Sequence, residues 1–310
     1  MRILIKNATI VNRNQRRQAS VLIEDGFIKD ILSPEECVEV DNIVDATNKL
    51  LLPGVIDTHV HFREPGLTHK ADFSSESSAA IAGGVTTVMD MPNNIPATTD
   101  QESLAIKECE AQKKMLCNYA FYLGLTNNNL EQAETFDPKT IAGYKLFLGS
   151  TTGNLLLSDE RLLQLFFKKS HKVPIVVHAE SNEIIDKSAQ FYREKFPGFV
   201  PISCHHLIRN KEACFSSTSK IVNLAKQTNT RLHIAHISTK KELDFCRHFV
   251  RLRNPKEAAI RSGFTLLPEY RGVAMLSRKE IKDKITELEK ECSATSNLVS
   301  AGLQRLAFGS

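Results

Sequence analysis

Six short apolar runs, rich in β-branched residues, recur at Leu51–Val60, Val85–Met91, Tyr119–Leu125, Tyr144–Leu148, Val173–Val177 and Leu232–Ile237. Segments of helical period lie between several of them, and strand, helix, strand in alternation reads as parallel βαβ units of an α/β fold. The runs are continuous in apolar character rather than alternating, as strands covered on both faces are. Two of the connecting helices stand out. In Ser158–Ser170, Ser158 is placed to N-cap a helix whose acids fall in the first turn. The other spans Ser216–Gln227.

The two ends of the chain have a different texture. Residues 2–10 and Val21–Ile31 alternate loosely, with Asp25-Gly26 between apolar runs, which predicts a small hairpin-rich β unit. Toward the C-terminus, Arg278–Glu291 is a charged, helix-favouring run with Ile281, Ile285 and Leu288 at helical spacing, and residues 263–267 are a weak strand candidate. Across 310 residues the chain is 42% hydrophobic and 25% charged, enough to bury a core without disulfide or metal staples. The net charge of +4 is too small to argue for nucleic acid or a membrane surface. Residues 1–250 hold 29 basic and 29 acidic side chains, so the whole excess lies in the last sixty residues. The seven cysteines are odd in number and show no Cys-x-x-Cys pairing. They read as reduced thiols in a cytoplasmic protein rather than a disulfide frame or a thiolate zinc site. The start has no signal-peptide core, and no run approaches the length of an apolar membrane span.

The residues with chemistry gather at strand ends. His59 and His61 close the first run; two residues apart on a strand, they project together, as two neutral imidazoles on one metal require. His178 closes Val-Pro-Ile-Val-Val-His, and His236 closes Leu-His-Ile-Ala-His. Active sites of α/β barrels are built from strand C-terminal ends, and histidines at three such ends are hard to explain as packing. His233, three residues before His236, is expected to face the other way and is excluded. Lys145 sits in an otherwise apolar strand, where a lysine must be paired or neutral. It either snorkels to water at an edge or becomes an anion by taking up CO2. Arg63 follows His61 by two residues and suits a carboxylate substrate. Asn93 offers an amide donor after the second strand. The glycine-rich stretch at 149–154 lacks a Gly-Lys-Ser/Thr ending, so no phosphate loop is expected there.

Five motifs in order, PGVIDTHVHFREPG at 53–66, AGGVTTVMDMPNN at 82–94, GYKLFLGSTTGN at 143–154, VVHAE at 176–180 and HIAHIST at 233–239, resemble dihydroorotases of the amidohydrolase superfamily. The resemblance covers about residues 1–250, and Arg63 favours dihydroorotase over allantoinase-like relatives. It implies a metal-dependent TIM-type barrel, about six of eight strands present, with a small N-terminal β unit. The implied division is an N-terminal β part at 1–50, an incomplete barrel at 51–253 and an atypical segment at 254–310, as a truncated or frame-shifted reading would give. His59 and His61 would bind the more buried of two zinc ions, His178 and His236 the second, and an N-carboxylated Lys145 would bridge them. Arg63 and Asn93 would hold the substrate carboxylate. The implied reaction is the reversible conversion of dihydroorotate to N-carbamoyl-aspartate, a step of pyrimidine synthesis.

The family's catalytic aspartate segment is not found after residue 250, and no histidine follows His248, so the catalytic residue is left unassigned. Two alternatives stand beside dihydroorotase: an allantoinase or hydantoinase with the same chemistry, and an inactive dihydroorotase-like subunit. The expected partners are a small-molecule substrate and either a second copy of the chain or a transcarbamoylase, with no nucleic acid and no membrane.

Overall fold

Asp25 and Gly26 both adopt left-handed backbone, with φ of 51° and 83°. A two-residue hairpin turn whose twist matches its strands needs positive φ at both positions. This turn joins β2 (Gln15–Glu24) to β3 (Phe27–Leu32), and β2 pairs antiparallel with β1 (Arg2–Asn12). On the other side of β1, β4 (Asn42–Asp45) and β5 (Leu50–Leu51) pair parallel to it. Leu4, Leu22 and Leu32 form a small core, while Phe27, Ile28 and Ile43 on the outer strands stay exposed. The computed structural model describes residues 1–251 except 14, 150–154 and 170. Among these, Met1–Val55 form one compact unit and a second begins at Ile56.

The second unit alternates strand and helix: β6 (Val55–Val60), α1 (Phe73–Ala82), β7 (Val85–Asp90), α2 (Gln101–Lys114), β8 (Asn118–Gly124), α3 (Leu130–Ala133), β9 (Gly143–Phe147), α4 (Glu160–Lys168), β10 (Ile175–His178), α5 (Asn182–Lys195), α6 (His205–Ile208), α7 (Lys211–Thr228), β11 (Leu232–Ile234) and α8 (Lys240–Arg251). Its six strands lie side by side in chain order, and the registers from β7 to β11 are parallel. This is a six-stranded portion of a TIM-type barrel: the alternating pattern predicts the parallel units, and the resemblance implies the barrel.

Successive residues of one strand go to opposite faces. Leu123, Leu146, Ile175 and Val177 pack outward in one cluster with Leu163, Phe166, Phe167, Ile221 and Val222 of the helices. Tyr122 and Val176 turn the other way and meet Met91 and Ala235. With both faces covered, all five residues of β9 are buried, which is why its sequence reads as a continuous apolar run.

Four of the helices open on a side-chain cap. Asp72 and Asp100 each form a reciprocal box with a serine three residues on, opening α1 and α2. The expected cap at Ser158 is corrected: Asp159 accepts from the backbone N–H of Arg161 at 2.8 Å and of Leu162 at 3.1 Å, and α4 begins at Glu160. A carboxylate outcompetes a hydroxyl because it also answers the positive helix end. The helix expected from Ser216 begins earlier, at Lys211, because Asn210 caps it by accepting from Ala213 N–H at 3.0 Å. The first apolar run is broken between β5 and β6, and the last strand stops at Ile234 rather than Ile237. The expected strand at 263–267, the helix at 278–291 and the stretch 150–154 lie outside the described residues. Among the described residues no helix is long and apolar enough to cross a membrane, and the six described cysteines are unpaired.

Candidate metal centre

Lys145 sits in the middle of β9 with no exposed surface. Across the sheet it is in register with Gly124 on β8 and Val176 on β10, and Val176 is in turn in register with His233 on β11. Register partners in a parallel sheet share a face, so this row looks inward. The Lys145 Nζ has no hydrogen-bond partner and lies over the Phe147 ring, 4.9 Å from its centroid. Burial lowers its pKa from 10.5 to about 7, because an uncompensated ammonium is costly in an apolar surround.

Four imidazoles stand at the same ends of the strands. His59 is on β6 and His61 just past it, with ring centroids 5.3 Å apart. His178 ends β10, and its ring lies 4.8 Å from that of His236; His59 and His236 are 5.4 Å apart. Burial, reinforced by the charge of Lys145, pushes His59 down to about 2. Burial and Arg63 push His61 to about 4, and burial and His178 push His236 to about 4. These three rings are therefore neutral at physiological pH, with lone pairs to donate.

Hydrogen bonds select which nitrogen is free. His61 Nδ1 faces the Asn93 Oδ1 acceptor at 2.7 Å, so it carries the proton and leaves Nε2 open. His178 Nε2 donates to the Glu180 carboxylate at 2.6 Å, and its Nδ1 faces His236 Nε2 at 3.1 Å. Two imidazole nitrogens on one tetrahedral zinc, with bonds of about 2.0–2.1 Å, lie about 3.3 Å apart. Such outer carboxylate and amide partners are the usual orienting shell of metal-bound histidine. Arg209 grips Glu180 in turn, with its Nε 3.2 Å from Oε1 and its Nη2 on Oε2. Burial pushes the Glu180 carboxyl up, but the bonds from His178 and Arg209 outweigh it and the net shift is downward.

Among the described residues no three His, Cys, Asp or Glu side chains form a closed ligand group; the four rings instead form a run of neighbours, His61, His59, His236 and His178. Adjacent imidazoles, two of them held from outside by Asn93 and Glu180, and a buried amine without a partner together form a donor set that fits metal ions.

Two loops carry the remaining candidates. Arg63 is half-buried, in left-handed backbone with φ 67°, and near enough to His61 to depress its pKa. Gly66 has φ 84°, and a Cβ there would meet the Ile95 carbonyl oxygen at 2.0 Å. That close approach lets the loop after β6 dock on the loop after β7, where Pro65 O accepts from Ile95 N–H at 3.1 Å. Asn93 belongs to the second loop and is spent, through Oδ1, on His61, so only its Nδ2 is open to a substrate.

Sequence reasoning missed several participants. His233 does not face away: it shares the inward row with Lys145 and is among the groups that lower His59. The parity argument fails because β11 ends at Ile234 and His236 has φ 42°, a left-handed turn that re-aims its ring. Glu180 was legible, two residues beyond His178 in the same motif. Arg209, Asp90 and Lys107 carried no local signal. His205 and His206, adjacent in sequence, lie exposed on α6, away from these contacts.

Residues 50–251 match the model of the amidohydrolase family. A dihydroorotase of Methanosarcina acetivorans is 32% identical over 246 residues, covering 79% of this chain and 52% of that protein. An allantoinase of Salmonella choleraesuis is 30% identical over 250 residues, covering 78% of this chain and 54% of its own. The chain thus spans about half the length of the curated relatives it matches. In structure it is similar to L-hydantoinase from Arthrobacter aurescens, with a TM-score of 0.74 at 24% identity over 79% of this chain and 55% of that one. The model match spans most of the chain and takes in β6, β10 and β11, the strands that bring the histidines together, and the chain belongs to the amidohydrolase family.

Proposed function

We propose that this chain carries a two-zinc cyclic-amide hydrolase centre of dihydroorotase type, interconverting dihydroorotate and N-carbamoyl-aspartate. The observation that carries this reading is Lys145: a fully buried amine without a partner, held toward neutrality, within electrostatic reach of His59, His61 and His236. A neutral amine attacks CO2, forms an N–C bond and releases one proton, and the resulting carbamate has two oxygens for two cations. His59 and His61 would hold one zinc, His178 and His236 the other, and the Lys145 carbamate would bridge them. Bound there, the ions would lower the pKa of a water and polarise the ring carbonyl. Arg63 offers a two-pronged donor to the substrate carboxylate, and Asn93 adds its free Nδ2. No proton-carrying carboxylate is assigned among the described residues. The unpaired cysteines suit the cytoplasm.

The near-equal similarity to allantoinase, 30% against 32%, favours a second reading in which the same centre opens allantoin. Turnover of dihydroorotate, allantoin and hydantoin by zinc-loaded protein separates them. Dihydroorotate is the expected substrate. Arg63→Lys should raise its KM by about tenfold or more, since the fork geometry is lost, and should leave hydantoin, which has no carboxylate, almost unaffected. Preference for allantoin overturns the dihydroorotase assignment; zinc binding without any turnover supports an inactive subunit.

A further inference from the structure

Lys107 lies on α2, and its side chain is completely buried. Its Nζ is 2.7 Å from Asp90 Oδ2, 2.8 Å from the Met91 carbonyl oxygen and 3.2 Å from Asn94 Oδ1. Three acceptors thus meet the three hydrogens of one ammonium. The other oxygen of Asp90, Oδ1, accepts from the backbone N–H of Phe62 at 2.8 Å, and Phe62 directly follows His61. One buried cation therefore ties together the end of β7, the loop 91–94 and the backbone beside a candidate ligand. Asn93 stands inside that loop, between two residues that Lys107 holds, with its Oδ1 on His61 Nδ1.

A fully satisfied buried ion pair is a poor source of stability, because a well-packed apolar pair of similar volume often does as well. Its role here is better explained by geometry. We propose that Lys107 is a positioning residue: it fixes the Met91–Asn94 loop and, through Asp90, the backbone at Phe62, so that Asn93 keeps His61 protonated on Nδ1 with Nε2 free. The use made of that free nitrogen rests on the metal reading above, whereas the positioning itself does not.

The test compares Asp90→Asn/Lys107→Met, which removes both charges, with Asn93→Ala and with the triple variant. The His61 tautomer is read by long-range nitrogen NMR on zinc-free protein, and zinc affinity by chelator competition. The double variant should lose the pure Nδ1–H form and bind zinc about 10–100-fold more weakly, the usual scale for an orienting partner. The triple variant should be within about twofold of Asn93→Ala, since both act through one contact. An unchanged tautomer and zinc affinity with a lowered unfolding midpoint would show a merely structural pair and overturn the proposal, as would effects that multiply in the triple variant. If the double variant does not fold, Asn94→Ala, which leaves the ion pair, should shift the tautomer in the same direction, and no shift defeats the idea. Should no variant, nor the parent, bind zinc while the tautomer still follows Lys107, the metal reading falls and the positioning role stands.

Discussion

Replacing Lys145 by Met should make the zinc-free protein more stable at neutral pH. The amine is fully buried, lacks a partner, and has its pKa lowered by burial from 10.5 to about 7. Between those values the unfolded chain holds a proton that the folded chain has released. The unfolded state then binds more protons, so stability rises with pH across that window, and the full cost of burying the amine is present below about pH 7. Each tenfold step in the protonation equilibrium is worth about 1.4 kcal/mol, so the whole drop sets a ceiling of about 5 kcal/mol. Met keeps the length and apolar volume of the side chain and has nothing to titrate. The expected gain for Lys145→Met is about 2–5 kcal/mol at pH 7, shrinking toward zero near pH 10.5. Urea unfolding at pH 7, 8.5 and 10, in chelator and CO2-depleted buffer, measures it. With bicarbonate and zinc at about 100 times its Kd, the parent should instead gain about 2.7 kcal/mol per site filled, and the variant less. Equal stabilities with parallel pH profiles in chelator would mean that the ammonium is solvated or paired, and the reasoning would be wrong.

His59→Ala should remove most bound zinc by elemental analysis, whereas His205→Ala and His206→Ala should not; equal losses in both sets would sink the site assignment. Gly66→Ala combines a φ of 84° with a Cβ placed 2.0 Å from the Ile95 carbonyl, so it should lower stability by about 2–4 kcal/mol. A thermal melt that matches the parent would show that the two loops are not docked as described.

The alternation of apolar runs and helical segments was enough to read the parallel sheet, because each strand of this unit pairs with its neighbour in sequence and both faces are covered. The same logic gathered His59, His61, His178 and His236, since strand ends on one side of such a sheet converge, whereas Lys145, in the middle of β9, stood out as a lysine in an apolar strand. Local competition was less legible: Ser158 and Asp159 are both good caps, and the carboxylate wins because it also answers the positive helix end. Strand parity misplaced His233 because it assumes an extended backbone through His236, where the chain turns left-handed. Asp90 and Lys107 are 17 residues apart, on a strand and a helix, and nothing in a one-dimensional pattern says that they touch.

Strand order also sets a timetable. From β6 to β11 each strand is laid beside the one made just before it, so the sheet can grow as the chain leaves the ribosome. His61 and His236 are 175 residues apart in sequence, and synthesis at about 5–20 residues per second puts about 9–35 s between them. During that interval the nascent protein presents His59 and His61, then Lys145, then a lone His178, and only last the ring of His236. His59 and His61 are therefore in place well before His178 and His236 can meet.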